Sequence, residues 1–241
     1  MTDYKTSDRK QGRGLYLRQF VSSCTSLGLG LCFSPLKLFG LVVAHFERKD
    51  TFKLGTPAIF ASNHRNAFDP FYIVVAFFPF ITFKFMPFAA YAAPLHRLQQ
   101  RPMQRISKKI GLFQAVYFFF NVVQIPEKGT LTDKIMPLVM AVRGGESALI
   151  FPEGRSVSHG DTRPFKNGVA KLYMETKAPI IPCAIYYYKK RFLKRTIICI
   201  GEAVTIPDSI YQDGGLEAVA EEIRRLVDVQ YRKCIQFANV K

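Results

Sequence analysis

The sequence lacks the cysteine patterns of a disulfide framework or a zinc site. Its five cysteines are an odd set, and neither a CxxC pair nor a histidine at metal-ligand spacing accompanies them. This pattern favours a reducing compartment and predicts that no metal is bound. The cysteines are Cys24, Cys32, Cys183, Cys199 and Cys234.

Internal repeats, low-complexity tracts and Gly/Ser-rich or Pro-rich linkers are also missing. Of the 241 residues, 49% are hydrophobic, 14% are aromatic and 22% are charged. This composition excludes a disordered, collagen-like or coiled-coil chain and can supply a substantial buried core. The length suits one large domain or two small ones.

Acidic residues are scarce. Lys and Arg number 34 against 18 Asp and Glu, which gives a formal net charge of +16. An excess of this size predicts an anionic partner, which could be nucleic acid, an anionic bilayer or a phosphorylated substrate.

The hydrophobic runs that approach the length of a membrane-spanning helix are interrupted by lysine, proline or glycine residues. Residues 27–46 contain Pro35, Lys37 and three glycines, and residues 71–95 contain Lys84 and three prolines. These interruptions would break a helix that is exposed to lipid. We also expect no signal peptide, because the apolar stretch after the basic residues 1–13 has no small-residue cleavage site.

The basic residues ahead of this apolar stretch, together with 22 phenylalanines, instead predict a chain that lies on a membrane without crossing it. We therefore expect a basic tail and an apolar helical membrane-association region at residues 1–49, followed by a second domain at residues 50–241. The alternative is that the apolar runs are buried core.

From residue 50 onward, short β-branched or aromatic runs alternate with helical patterns. This alternation predicts an α/β fold with a mixed, largely parallel sheet that is covered by helices. In such sheets the catalytic and binding residues lie in loops at the carboxyl ends of the strands. This rule selects the segments after residues 62 and 151 as candidate functional segments. The predicted strands are 57–62, 81–86, 113–119, 148–151, 180–187 and 196–200; the predicted helices are 99–110, 131–142 (interrupted by Pro137), 167–177 and 216–237.

The first selected segment contains His64 and, five residues later, Asp69. Within one helix these side chains would point about 140° apart, so they can meet only if His64 lies in a loop before the helix and Asp69 turns back beneath it. An Asp that accepts a hydrogen bond from one imidazole nitrogen fixes the tautomer and makes the other nitrogen a better base. The alternative is a structural His beside an Asp that caps a helix.

The second selected segment reads Phe-Pro-Glu-Gly-Arg-Ser over residues 151–156. Gly154 permits close approach of the backbone to a ligand, and Arg155 offers a forked donor to phosphate. Residues 165–168, Phe-Lys-Asn-Gly, follow soon after. The alternative is a surface turn with incidental charges.

Together these segments resemble the glycerolipid (lysophospholipid) acyltransferase family. That family has a His-x4-Asp block, a Gly-initiated block, an FPEG-Arg-Ser block and an apolar block with proline, in that order, and the resemblance here covers roughly residues 56–206. It implies that residues 50–241 form an acyltransferase catalytic domain, with acyl-CoA or acyl-ACP as co-substrate and no further cofactor. The four blocks would correspond to residues 64–69, 111–117, 151–156 and 178–183.

The resemblance implies that His64 is the general base and that Asp69 orients it. Substrate binding would involve Gly111, Glu153, Gly154, Arg155, Ser156, Lys166 and Pro182. Tyr117 stands where the family usually has an Arg that helps to hold the acceptor phosphate. Phosphate recognition would then rest on Arg155, together with Lys166 or with Lys108 and Lys109.

The expected reaction transfers a fatty acyl group to the free hydroxyl of a lysophospholipid, in particular 1-acylglycerol-3-phosphate, to give phosphatidic acid in phospholipid biosynthesis. The expected location is the cytoplasmic face of an anionic membrane. Two alternatives are another lysolipid acceptor and a non-catalytic lipid-binding scaffold. Residues 186–188, three tyrosines beside a basic cluster, could also stack on single-stranded nucleic acid; we expect no nucleic-acid partner, because the aromatic residues concentrate in the apolar runs.

Arg155 provides a first test. If it is the main phosphate ligand, Arg155→Ala raises the KM for the acceptor far more than the KM for the acyl donor, and Arg155→Lys recovers only part of the loss because the fork is missing. Steady-state kinetics with each substrate varied in turn measures both constants. Equal changes in the two KM values would contradict a role in acceptor binding.

Overall fold

The fold is built on one mixed sheet. The computed structural model describes residues 35–36, 41–47, 56–66, 68–77, 88–92, 122–126, 128–154, 156, 163–190 and 193–239. The strands are β1 Val42–Phe46, β2 Ile59–Ser62, β3 Phe88–Ala92, β4 Val122–Gln124, β5 Ser147–Ile150, β6 Ile180–Lys190 and β7 Leu193–Ile200; the helices are α1 Asp69–Phe77, α2 Leu131–Arg143, α3 Gly168–Thr176 and α4 Asp208–Asn239, which is kinked at Gly215.

The strands lie in the order β1-β7-β6-β2-β5-β3-β4. Neighbouring strands are parallel except for β6 and β7, which form an antiparallel hairpin. The prediction of a mixed, largely parallel α/β sheet is therefore confirmed. Strand β2 sits between β5 and β6, and Phe60 pairs with Leu149 on one side and Ile181 on the other.

Helices cover both faces of the sheet, and the side chains of β2 alternate between the two layers. Phe60 packs with α1 residues such as Ile73, whereas Ile59 and Ala61 pack with α2, α3 and α4. All four residues of β2 are buried, as is usual for a parallel strand that is covered on both sides. Because helices cover both faces, this part of the sheet is left uncovered at the carboxyl ends of its strands, where the two selected segments begin.

Helix α2 runs through Pro137 without the predicted interruption. Its start is well defined, because the Thr130 hydroxyl accepts from the Asp133 amide while the Asp133 carboxylate accepts from the Thr130 amide. Proline removes one intrahelical hydrogen bond. The tertiary packing of one apolar face keeps the helix continuous; the buried residues of that face are Ile135, Leu138, Val139 and Val142.

The predicted helical region at residues 1–49 is wrong over Val42–Phe46, which forms strand β1. This strand pairs in parallel with β7, from Val42 opposite Thr196 to Phe46 opposite Ile200. A five-residue apolar run does not by itself distinguish a strand from a buried helix, and here the hydrogen bonds to β7 decide. Apart from residues 35–36, 41 and 47, the rest of the predicted membrane-association region lies outside the described residues.

Three further predicted elements, at 81–86, 99–110 and 113–119, also lie outside the described residues, whereas β3 and β4 were not predicted. The strands predicted at 57–62, 148–151, 180–187 and 196–200 are confirmed as β2, β5, β6 and β7. Among the helices that the structure describes, none combines the length and apolarity needed to cross a membrane.

Asn63 ties the end of β2 to β6 beyond the last backbone pair, Ser62 with Cys183. Its side-chain amide donates to the Ile185 carbonyl at 3.0 Å and accepts from the Ile185 amide at 2.7 Å. All of these groups are buried. The amide side chain thus continues the sheet by two hydrogen bonds and aligns the first selected segment with the outer half of β6.

Asn63→Ala should therefore lower the free energy of unfolding by about 2–4 kcal/mol, because it leaves the buried N–H and C=O of Ile185 without partners. Urea unfolding measures the change. Asn167→Ala is the matched control, because the Asn167 side chain makes an exposed hydrogen bond to Glu217, and it should cost no more than about 0.5 kcal/mol. Equal losses for the two variants would contradict this role of Asn63.

Candidate active site

The two segments selected from the sequence meet at the carboxyl end of the sheet. Strands β2 and β5 are parallel neighbours, so the loops that follow them leave the same edge side by side. The backbone amide of His64 donates to Glu153 Oε2 at 3.0 Å. This hydrogen bond joins the first segment directly to the second.

His64 and Asp69 are in contact. His64 Nδ1 lies 2.9 Å from Asp69 Oδ2, with His64 21% exposed and Asp69 fully buried. His64 lies in the loop after β2, and Asp69 is the first residue of α1. The Asn66 side chain accepts from the Phe68 amide, and the Asn66 carbonyl accepts from the Asp69 amide, so a tight turn brings the carboxylate back beneath the imidazole. The five-residue spacing required His64 to lie in a loop before the helix with Asp69 turned back beneath it, and the structure has this arrangement.

Several donors surround the Asp69 carboxylate. Oδ2 accepts from the backbone amides of Arg65 at 2.5 Å and Asn66 at 2.8 Å as well as facing His64. Oδ1 accepts from the Tyr187 hydroxyl at 2.5 Å. A buried carboxylate is costly unless it is hydrogen-bonded, and these donors satisfy both of its oxygens.

With N–H and O–H donors on both of its oxygens, the Asp69 side chain acts as an acceptor. The contact with His64 therefore assigns the imidazole proton to Nδ1 and makes Nε2 the basic nitrogen. The Phe151 ring packs against the imidazole, with ring centroids 4.6 Å apart, and restricts its rotation. This arrangement can accept a proton from a hydroxyl that approaches the exposed side of His64.

Among the described residues, Glu153 and Tyr187 are neighbours of this pair whose pKa values are perturbed. Burial raises the pKa of Glu153, while the His64 amide and the Arg65 charge act in the opposite direction. Burial, and then the hydrogen bond to Asp69, raise the pKa of the Tyr187 phenol. Tyr187 thus stays protonated and remains a donor.

The turn after β5 carries the other predicted binding residues. Gly154 has φ +72°, and a Cβ there would come within 2.6 Å of Lys166 Cε and Nζ, so the glycine makes room for the lysine side chain across the turn. The Lys166 amide donates to the Pro152 carbonyl at 2.9 Å. Ser156 is exposed nearby in sequence.

Of the predicted binding residues that the structure describes, one is not joined to this arrangement. Pro182 is buried within β6 opposite Ala61, and its ring lies against Gly201. Successive side chains of a strand point to opposite faces, so Pro182 lies on the face of Ala184, which packs with α4, and not on the face of Tyr187. The structure therefore does not bring Pro182 into the site. Gly111 and Arg155 lie outside the described residues, as do Lys108, Lys109 and Tyr117.

Sequence reasoning missed Asn63 and Tyr187. Tyr187 is the last residue of the predicted strand 180–187, and the rule that chemistry collects at the carboxyl ends of strands could have selected it. Strand alternation separates it from Tyr186 and Tyr188, which pack beside Cys234 on the opposite face. The three tyrosines therefore do not form one stacking surface.

Cys183 was interpreted as core from the sequence, and this interpretation is confirmed. Its thiol is buried, and burial raises the pKa, which makes it a poor nucleophile. Across the part of the chain that the structure describes, His, Cys, Asp and Glu side chains do not gather in groups of three or more that could hold a metal ion.

A family model described as Acyltransferase matches residues 43–186, more than half of the chain. The chain therefore belongs to the acyltransferase family, which confirms the resemblance drawn from its motifs. A 1-acyl-sn-glycerol-3-phosphate acyltransferase of Borreliella burgdorferi is 38% identical to it over 68 residues. That stretch spans 28% of this chain and 27% of the relative, so the chain aligns with only about a quarter of that protein.

The fold is similar to that of the 1-acyl-sn-glycerophosphate (LPA) acyltransferase PlsC from Thermotoga maritima, known from a crystal structure. The TM-score is 0.54 at 16% sequence identity, with 95% of this chain and 83% of that chain covered. At this identity the similarity concerns the mixed α/β fold.

The buried Glu153 gives a pH-dependent prediction. Its pKa lies above the usual 4.5, so between that value and the folded pKa the folded state holds more protons than the unfolded state, and the free energy of unfolding falls as pH rises. Glu153→Gln removes the titration and keeps an oxygen for the His64 amide. The free energy of unfolding of Glu153→Gln, minus that of wild type, should therefore increase as pH rises above 4.5.

Urea unfolding at a series of pH values measures this difference. The control is Glu222→Gln. The hydrogen bond from Arg225 lowers the pKa of Glu222, so the same difference should fall as pH rises towards 4.5. A difference for Glu153→Gln that is flat or falls with pH would contradict the stated effect of burial.

Proposed function

We propose that the protein transfers a fatty acyl group from acyl-CoA or acyl-ACP to the free hydroxyl of a lysophospholipid. The acceptor that we favour is 1-acylglycerol-3-phosphate, and the product is then phosphatidic acid in phospholipid biosynthesis. The name of the Borreliella burgdorferi relative supports this acceptor. No cofactor beyond the acyl donor is required.

The observation that carries the proposal is the contact between His64 Nδ1 and the buried Asp69 carboxylate at 2.9 Å. It gives the imidazole the tautomer that a general base needs, with Nε2 as the basic nitrogen of a partly exposed side chain. In the proposed mechanism His64 and Asp69 are the catalytic pair. Family membership makes acyl transfer the reaction that such a base serves.

The proposed reaction needs no covalent enzyme intermediate, because the acyl group of a thioester is already activated. His64 Nε2 takes the proton of the acceptor hydroxyl as the hydroxyl oxygen attacks the thioester carbonyl. The new C–O bond forms, the C–S bond breaks, and the departing thiolate receives the proton from the imidazolium. General-base assistance of this kind contributes about 10²–10⁴ in rate.

Substrate binding is assigned to the turn after β5 and its neighbours. Lys166 lies across Gly154, close in sequence to Arg155 and Ser156, so these residues suit a phosphate. We assign Glu153 a positioning role within this site, because its carboxylate accepts from the His64 amide. Gly111 remains a proposed binding residue on the strength of the family motif.

Membrane association is part of the proposal. The acceptor lipid lies in an anionic bilayer and both donors carry phosphate, so a net charge of +16 suits all of these partners. We propose a monotopic or peripheral attachment at the cytoplasmic face, through the basic and apolar residues ahead of β1.

One observation favours a second candidate, which is transfer to a different lysolipid. Tyr117 replaces the usual Arg of the second family block, so the phosphate-binding set differs from that of the family. A non-catalytic lipid-binding scaffold is less well supported, because it would have no need of a hydrogen-bonded His64 and Asp69.

The proposal predicts that His64→Ala loses acyl transfer by about 10²–10⁴-fold while its circular dichroism and thermal unfolding stay close to wild type. Asp69→Asn should also lose much activity, because an amide can favour the wrong imidazole tautomer. His96→Ala, at a histidine outside both motifs, is the matched control and should retain activity. Thioester consumption by the purified protein is the measurement.

The same assay with a panel of lysolipids separates the candidates. Turnover limited to 1-acylglycerol-3-phosphate supports the favoured acceptor, and turnover of another lysolipid supports the second candidate. Near wild-type turnover by a folded His64→Ala protein would refute the mechanism. Thioester that is left intact with every acceptor would favour the scaffold.

A further inference from the structure

The outer half of β6 carries a tyrosine, Tyr187, that lies outside all four family blocks. The Tyr187 hydroxyl donates to Asp69 Oδ1 at 2.5 Å. The other carboxylate oxygen, Oδ2, faces His64 and accepts from the two loop amides. Tyr187 thus holds the side of the carboxylate that points away from the imidazole.

The fold fixes this hydroxyl firmly. Asn63 makes two hydrogen bonds to Ile185, and Ile185 and Tyr187 point to the same face of β6. The Tyr72 ring of α1 meets the Tyr187 ring edge-on, with centroids 6.0 Å apart. Tyr187 is therefore held by the strand on one side and by α1 on the other.

A fixed donor on Oδ1 has two consequences for His64. It prevents the carboxylate from rotating, so that Oδ2 keeps facing Nδ1. It also withdraws charge from the carboxylate, so that Asp69 attracts a proton on the imidazole less strongly. Because the pKa of the Tyr187 phenol is raised, the hydroxyl remains a donor as the pH is varied.

We propose that Tyr187 is a positioning residue for acyl transfer, whose hydroxyl orients Asp69 and thereby sets both the alignment of His64 and the pH at which His64 becomes available as a base. This inference rests on the proposed function. Among the described residues, the titratable and charged groups around the pair are Arg65 and Glu153 from the two loops, Tyr72 from α1 and Tyr187 from β6, with Tyr231 of α4 under the Arg65 guanidinium. The test changes Tyr187 alone and leaves the others in place.

Tyr187→Phe removes the hydroxyl and keeps the ring. We expect kcat to fall by about tenfold with the KM values for both substrates little changed, since a hydrogen bond to a charged group is lost at the catalytic pair and not at the bound lipid. The acid limb of the kcat/KM profile should move to higher pH, because the freed Asp69 favours the protonated imidazole. Tyr188→Phe, one residue along on the opposite face of β6, is the matched control and should leave both readouts unchanged.

Two further measurements separate positioning from a structural effect. Tyr187→Phe added to His64→Ala should cause no additional loss of turnover, because Tyr187 acts through the imidazole. Incorporation of 3-fluorotyrosine at position 187 gives a stronger donor of nearly the same shape, so the acid limb should move to lower pH. This second substitution also keeps the inference testable if Tyr187→Phe unfolds.

These measurements distinguish a failure of the Tyr187 inference from a failure of the proposed function. If wild type is active while Tyr187→Phe and the fluorotyrosine protein share its kcat and acid limb, the inference is refuted and the proposed function stands. A loss of kcat with an unmoved acid limb, repeated in the His64→Ala background, would show a structural role and also refute the inference. If wild type transfers no acyl group to any acceptor, the proposed function fails and the inference fails with it.

Discussion

The site depends on one buried charge, the carboxylate of Asp69. An unpaired ion in a protein interior costs several kcal/mol, so the surrounding chain has to supply donors. They come from three places: backbone amides of the loop after β2, the imidazole of His64, and the phenol of Tyr187 on β6. Asp69 also lies at the first turn of α1, where the helix dipole favours an anion.

The need to supply donors to Asp69 constrains both the loop after β2 and the length of β6. The loop after β2 must fold tightly enough for Arg65 and Asn66 to present their amides, and β6 must extend past the end of β2 for Tyr187 to reach Oδ1. The two hydrogen bonds between Asn63 and Ile185 connect these conditions. The antiparallel pairing of β6 with β7 continues to Lys190, so the extension is supported where β2 no longer borders it.

Two carboxylates near His64 have different surroundings. Asp69 accepts from four donors, one of which is the imidazole ring, whereas Glu153 accepts from the His64 backbone amide and burial raises its pKa. Asp69 can therefore orient the imidazole ring, and Glu153 anchors the loop that carries His64. The two carboxylates lie close together because the parallel pairing of β2 and β5 brings their two loops to one edge of the sheet.

The sequence by itself determined the α/β class, the strands β2, β5, β6 and β7, and the two segments that meet at the site. These features rest on local patterns: short apolar runs between helical patterns, and His64, Asp69 and residues 151–156 immediately after such runs. Tertiary structure alone decided that Val42–Phe46 is a strand, because its partner β7 lies about 150 residues further along the chain.

Tertiary structure likewise decided that Tyr187 joins the site and that Pro182 does not. Both residues lie in one apolar strand, and the face to which each side chain points depends on the register of β6 against β2 and on which helices cover the two faces. Tyr187 reaches Asp69 across 118 residues of sequence. Local pattern carries no information about a contact at that separation, since only the folded sheet brings the two residues together.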